Sequence, residues 1–228
     1  MTLLLIFVGT MAIALLAQWQ VKRMYLRYSR VPAMSGYTGA EAAHQILRHA
    51  GIRDVEIVEH NEMLGDHYDP RHKRLVLSTD NYHGTSLAAL GVAAHEAGHA
   101  IQHKQAYAPL HWRMAAVHVT GFANQIVTIL PIIGVVTGFL STATGLMVMA
   151  IAWGIIMAFN LVTLPVEFDA SRRAKLHLAE MGFLRDGTEM NGVAKVLNAA
   201  ALTYVAAFVT SLVYFLWYLL PLLTGQRR

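Results

Sequence analysis

Residues 114–165 read MAAVHVTGFANQIVTILPIIGVVTGFLSTATGLMVMAIAWGIIMAFNLVTLP, and no charged residue lies between Arg113 and Glu167. About 20 apolar residues in a helix cross the hydrocarbon core of a bilayer. This stretch is long enough to cross twice. The uncharged turn Ser141-Thr142-Ala143-Thr144-Gly145 divides it into spans over 115–140 and 146–164, with Pro131 a candidate kink in the first. A hairpin returns the chain to the side it left. Whatever precedes Arg113 and whatever follows Glu167 therefore share one side of the membrane. His118 and Asn124 are polar exceptions in the hairpin, and read as helix–helix hydrogen-bonding groups rather than metal ligands.

The rest of the chain fits a membrane protein. Of its 228 residues 55% are apolar and only 14% charged, where soluble domains carry about a quarter charged residues. Residues 2–19 form a further apolar segment with no Lys or Arg before it and Lys22, Arg23, Arg27 and Arg30 after it. That is an uncleaved first span rather than a signal peptide. Residues 199–220 form a fourth. Five regions result: a first transmembrane helix over 1–21, a soluble α+β domain over 22–113, a transmembrane hairpin over 114–165, a helical segment over 166–198, and a fourth helix with tail over 199–228. All but the terminal Arg227 and Arg228 of the 18 Lys and Arg fall in the two polar regions. The positive-inside rule puts those regions in the cytoplasm and both termini outside. The expected fold is mainly α, with four transmembrane helices and a small zincin-like cytoplasmic domain. The net charge of +4 is no nucleic-acid signal by itself. The absence of cysteine excludes disulfides and thiolate metal sites.

Within the soluble region, Thr38 reads as the N-cap of a helix over 39–50 that Gly51 ends. Residues 55–58 read as a strand, and 63–69 with 74–78 as a hairpin turning at Pro70. Asn81 to Ser86 supplies a turn and cap for a helix over 87–103. That helix carries His95-Glu96-Ala97-Gly98-His99. Residues four apart lie about 40° apart around a helix axis. Both imidazoles can therefore face one metal ion, while Glu96 can reach a water bound to it. This is the zinc metalloprotease pattern, with the glutamate as general base. The helix is rich in small residues (Ala88, Ala89, Gly91, Ala93, Ala94, Ala97, Gly98, Ala100), which suits either a buried active-site helix or plain close packing.

A catalytic zinc takes three protein ligands and keeps a position open. The hairpin makes Glu167 the first carboxylate to return to the side of His95 and His99, and it is the expected third ligand. Asp169 is the rival, with a shorter side chain. At the start of a new helix, Glu167 could instead be a carboxylate favoured by the macrodipole. His103 continues the i, i+4 series as a group behind the site, a substrate contact, or a solvated residue at the helix end. Asp66, His67, Asp69 and His72 have a metal-loop composition but read as a polar turn. His83 is a possible cap or site contact. Tyr204 is either an interfacial tyrosine or a donor to a tetrahedral intermediate.

The motif, together with Glu167-Phe168-Asp169-Ala170-Ser171-Arg172-Arg173, Tyr68-Asp69-Pro70, Tyr82-His83-Gly84-Thr85-Ser86 and Ala200-Ala201-Leu202-Thr203-Tyr204-Val205-Ala206, resembles the bacterial membrane zinc metallopeptidases of the YugP type over nearly the whole chain. More distantly it is similar to the membrane gluzincins of the HtpX and CAAX-protease kind, with HExxH followed by Glu-x-x-Ala-Asp. The match implies that Glu167 is the third ligand and Asp169 a variable position. Ser171 stands where those families place the Asp that orients a zinc-bound histidine.

The expectation is a zinc-dependent endopeptidase of a bacterial plasma membrane. It would hold one Zn2+ and act on peptide or protein substrates, membrane proteins among them, at the cytoplasmic face. A strand from 74–78 would pair with the substrate. A non-catalytic zinc-binding scaffold or adaptor would not need Glu96. A metal transporter would place its ligands within the spans.

Overall fold

A computed structural model describes residues 1–61 and 65–225. It is mainly helical, with seven α-helices, a short 3-10 turn and three strands among these residues. The expected hairpin residues Met63 and Leu64, and the tail Gln226–Arg228, lie outside the described part.

Four helices are long and apolar enough to cross a membrane: α1 (Thr2–Tyr28), α5 (Ala108–Thr137), α6 (Ala143–Glu180) and α7 (Gly187–Thr224). On α1 and α5 many large apolar side chains point outward, among them Phe7, Phe122, Ile132 and Val136. In water this would be costly; against acyl chains it is not. Gly138 in the left-handed conformation ends α5, the 3-10 turn Phe139–Ser141 follows, and Thr142 caps α6 through Gly145 N. The turn therefore lies slightly earlier than its residue types suggest.

α6 has 38 residues. At 1.5 Å per residue it is about 57 Å long, well beyond the hydrocarbon thickness of about 30 Å. It continues through Pro165 without a break, so Glu167 sits in the interior of one long helix. No helix begins there, and the macrodipole reading of Glu167 falls away. α7 is also 38 residues, capped by Asp186 through Glu189 N. The ends of α6 and α7 beyond the bilayer pack with the polar region into one core that includes Ala174, Leu178, Val193 and Leu197.

The centre of that core is α4 (Leu87–Lys104), capped by Ser86. It touches α2 (Gly39–His49), α6 and α7, and is buried on nearly every face. Its small residues allow this. At Gly98 an added Cβ would lie 2.8 Å from the Ala170 carbonyl oxygen of α6, so only glycine admits the approach. α2 starts with a complete capping box between Thr38 and Glu41, and Gly51 follows with φ +69.

The sheet has the order β1-β3-β2, from β1 (Glu56–His60), β2 (His67–Asp69) and β3 (Arg74–Ser78). β2 and β3 are antiparallel, as the hairpin reading requires, while β1 adds in parallel on the other side of β3. Leu75 and Leu77 of β3 are fully buried. β3 thus has no free edge, which corrects the expectation that 74–78 would pair with substrate. Of the two edge strands, β2 packs on α4 and β1 on α2 and α3. Asp69 accepts from the backbone of Arg71 and His72, and Asp66 accepts from Ser78 and Asn81. These carboxylates shape the turn and its junction with the short helix α3 (Thr79–Tyr82).

Candidate metal centre

His95 and His99 lie one turn apart on α4, and their rings meet edge to face at 4.8 Å. α6 crosses this turn at Gly98, which places Glu167 opposite both rings. Glu167 Oε2 is 3.3 Å from His95 Nε2 and 3.7 Å from His99 Nε2. Four ligands at about 2.0–2.1 Å around a tetrahedral zinc are about 3.3 Å apart. The two carboxylate–imidazole separations lie at or near that edge, and all three ligand atoms fall within 4.8 Å of one another. His95, His99 and Glu167 are the one group of three or more potential ligands that converges in this way among the described residues.

The far sides of the two rings are also held. His95 Nδ1 lies 3.2 Å from Ser171 Oγ, and His99 Nδ1 lies 3.0 Å from Gln102 Oε1. The Gln102 amide nitrogen donates to Val166 O at 2.8 Å and to Asp169 Oδ2 at 3.0 Å. Two acceptors at that nitrogen fix the amide orientation. Its oxygen then faces His99 and can only accept. His99 therefore carries hydrogen on Nδ1, and the Nε2 lone pair is available to a metal. An outer partner that fixes the tautomer in this way is usual for metal-binding histidine. The donor set and its support both fit zinc.

Glu167 is almost fully buried, and its second oxygen accepts from Arg113 at 2.8 Å. One carboxylate oxygen is thus committed to Arg113, and the other is turned to the imidazoles. Burial works against a charged His99. Its contact with Glu167 and the nearby Glu96 charge outweigh this and raise its pKa above the ordinary histidine value.

These groups line a cleft of about 480 Å3 together with Glu96, Tyr204 and the Asp66–Arg71 side of the sheet. Ser171 thus contacts His95. Asp169 is not in the converging group; it binds Gln102, Arg172 and Arg173. His103 lies off the cleft, with Nδ1 2.9 Å from the Tyr68 hydroxyl. His83 pairs with Glu59 at 3.3 Å, away from the centre. His118 faces Arg71 of the β2–β3 turn at 3.4 Å rather than a neighbouring helix, because it lies near the start of α5. Asn124 is on an exposed face of α5.

Sequence reasoning missed Gln102 and Arg113. Gln102 sits three residues after His99, where a helix brings side chains together. Arg113 is the last charge before the uncharged stretch, as Glu167 is the first after it; a hairpin juxtaposes them.

The family described as "putative neutral zinc metallopeptidase" matches residues 3–223. Among curated proteins the chain is similar to "Putative membrane protease YugP" of Bacillus subtilis (strain 168), with 40% identity over 99% of both chains. No solved structure matches.

Proposed function

The chain belongs to this zinc metallopeptidase family, and from that premise we propose that it is a gluzincin-like endopeptidase hydrolysing peptide bonds at the cytoplasmic membrane face. The observation that carries the reading is the convergence of His95 Nε2, His99 Nε2 and Glu167 Oε2, with the Glu96 carboxylate in the same cleft. The three residues would hold one zinc ion. When bound, zinc acts as a Lewis acid that polarises the scissile carbonyl and acidifies water.

The protein's own residues divide the remaining work. Glu96 takes the proton of the attacking water and delivers it to the leaving amine nitrogen. Ser171 and Gln102 keep the imidazoles aimed, and Arg113 holds one oxygen of Glu167 so that the other faces them. Tyr204 and Arg113 are the hydrogen-bond donors in the cleft suited to the developing oxyanion. The outer edge of β2 offers backbone groups to an extended substrate. Tyr68 and Asp69 of this strand lie along the cleft.

The test uses the purified full chain and a mixture of unstructured peptides, with products mapped by mass. Cleavage is expected with zinc, lost on chelation and restored by zinc. A fully loaded protein that cleaves no peptide would overturn the proposal.

A further inference from the structure

β2 is an edge strand of three residues, against about five or six in an ordinary strand. So short an edge opens easily unless side chains hold it. Successive side chains of a strand point to opposite faces, yet His67, Tyr68 and Asp69 all line the cleft. The edge of β2, rather than one of its faces, therefore borders the metal centre.

Two tethers hold this strand. Asp66, just before it, accepts from Ser78 N at 2.8 Å, from Ser78 Oγ at 3.1 Å and from Asn81 Nδ2 at 2.9 Å. Asn81 is buried, and its Oδ1 accepts from the Tyr25 hydroxyl of α1 at 3.0 Å. These bonds fix the start of β2 against β3, α3 and α1.

The second tether is at the middle of the strand. Tyr68 stands opposite Leu75 of β3, and residues directly opposite share a face. Leu75 is fully buried, so Tyr68 points to the helix side. Its hydroxyl meets His103 Nδ1 at 2.9 Å, with the ring centroids 5.9 Å apart. His103 lies one turn beyond His99 on α4. One hydrogen bond thus ties the strand beside the cleft to the helix that carries His95 and His99. Burial, then the charges of Asp54 and Asp69, push the Tyr68 hydroxyl up to about 12, while burial, then His111, depress His103. At neutral pH both partners are uncharged, so the bond needs no counter-ion.

We propose that Tyr68 and His103 are positioning residues for the substrate: by holding β2 on α4 they set the strand's outer edge where a paired peptide presents its scissile carbonyl to the metal centre. This rests on the peptidase reading above and adds what keeps its substrate strand in place. Both residues lie outside the converging ligand group. A strand fixed beforehand spares an incoming peptide the cost of ordering it. The pair therefore acts on the binding of extended chains and not on the binding of zinc.

The test uses zinc-loaded full-length protein in detergent micelles and two probes that reach zinc through the same chemical group. Acetohydroxamate offers that group alone, and a tripeptidyl hydroxamate adds an extended chain. Calorimetry measures the affinity for each. Tyr68→Phe, which keeps the ring and removes the hydroxyl, and His103→Leu are each expected to weaken the peptidyl probe about fivefold and to leave acetohydroxamate unchanged. His103→Asn, whose amide can still partner the Tyr68 hydroxyl, is expected to keep most of the wild-type affinity. Equal weakening of both probes, or of neither, overturns the proposal, as does failure of His103→Asn to recover what His103→Leu loses. Wild-type protein that binds zinc and both probes but cleaves no peptide would instead strike at the peptidase reading.

Discussion

Replacing Gln102 by alanine isolates the support behind one metal ligand. Gln102 is fully buried and makes three hydrogen bonds: it accepts from His99 Nδ1 and donates to Val166 O and Asp169 Oδ2. Alanine leaves the His99 N–H without its acceptor in a dry setting, at a cost of about 1–3 kcal/mol. It also frees the ring to turn. Loss of such an outer partner lowers metal affinity roughly 10–100-fold, which is about 1.4–2.7 kcal/mol, so the two routes agree. Asp169 remains partnered by Arg172 and Arg173, which limits the damage to the fold. Competition titration against chelators of known zinc affinity measures the effect, and circular dichroism monitors folding. Ser171→Ala removes a single contact at 3.2 Å from the other ring and is expected to fall at the low end of the same range. Zinc affinity within twofold of wild type in folded Gln102→Ala protein would refute the orienting role.

Gly98→Ala forces a Cβ to within 2.8 Å of the Ala170 carbonyl oxygen, a backbone atom that cannot swing aside. The separation of α4 and α6 is expected to lower stability by about 1–3 kcal/mol, read by thermal unfolding, and to weaken zinc binding as Glu167 moves away. Arg113→Ala removes the charged partner of a buried carboxylate. The loss should be about 1.5–3 kcal/mol in the metal-free protein and smaller once zinc neutralises Glu167, so zinc should raise the melting temperature more in the variant than in wild type. Burial, and then the His111 charge, depress the pKa of His103 below the ordinary histidine value. Its neutral ring bonds Tyr68, so this contribution to stability is present above the unfolded pKa and is lost as pH falls through the folded one. Imidazole NMR should show His103 titrating below the ordinary histidine value, with the depression reduced by His111→Gln.

Features written in local patterns were legible in the chain. The 3.6-residue period puts His95 and His99 on one face, Thr38 and Ser86 announce their helices, and the uncharged stretch announces two spans. The hairpin argument pointed to Glu167 by topology alone, and the carboxylate does lie beside both rings. What depends on contacts distant in sequence was not legible. The parallel addition of β1 to β3 leaves no mark in either strand. Pro165 and the return of charge suggested a break between span and polar segment, yet packing against α4 and α7 carries α6 through as one helix. Gln102 resembles any polar residue near a helix end until α6 buries it, and Asp169 resembles a ligand until its bonds to Gln102 and two arginines are seen.

The account turns on Glu96 as the base of a one-zinc peptidase site. The most direct measurement is peptide hydrolysis and zinc content of Glu96→Gln beside wild type, both as full chains. The account predicts one zinc per chain in each, with hydrolysis reduced about 10²–10⁴-fold in the variant. Hydrolysis near the wild-type rate by zinc-loaded Glu96→Gln protein would contradict it.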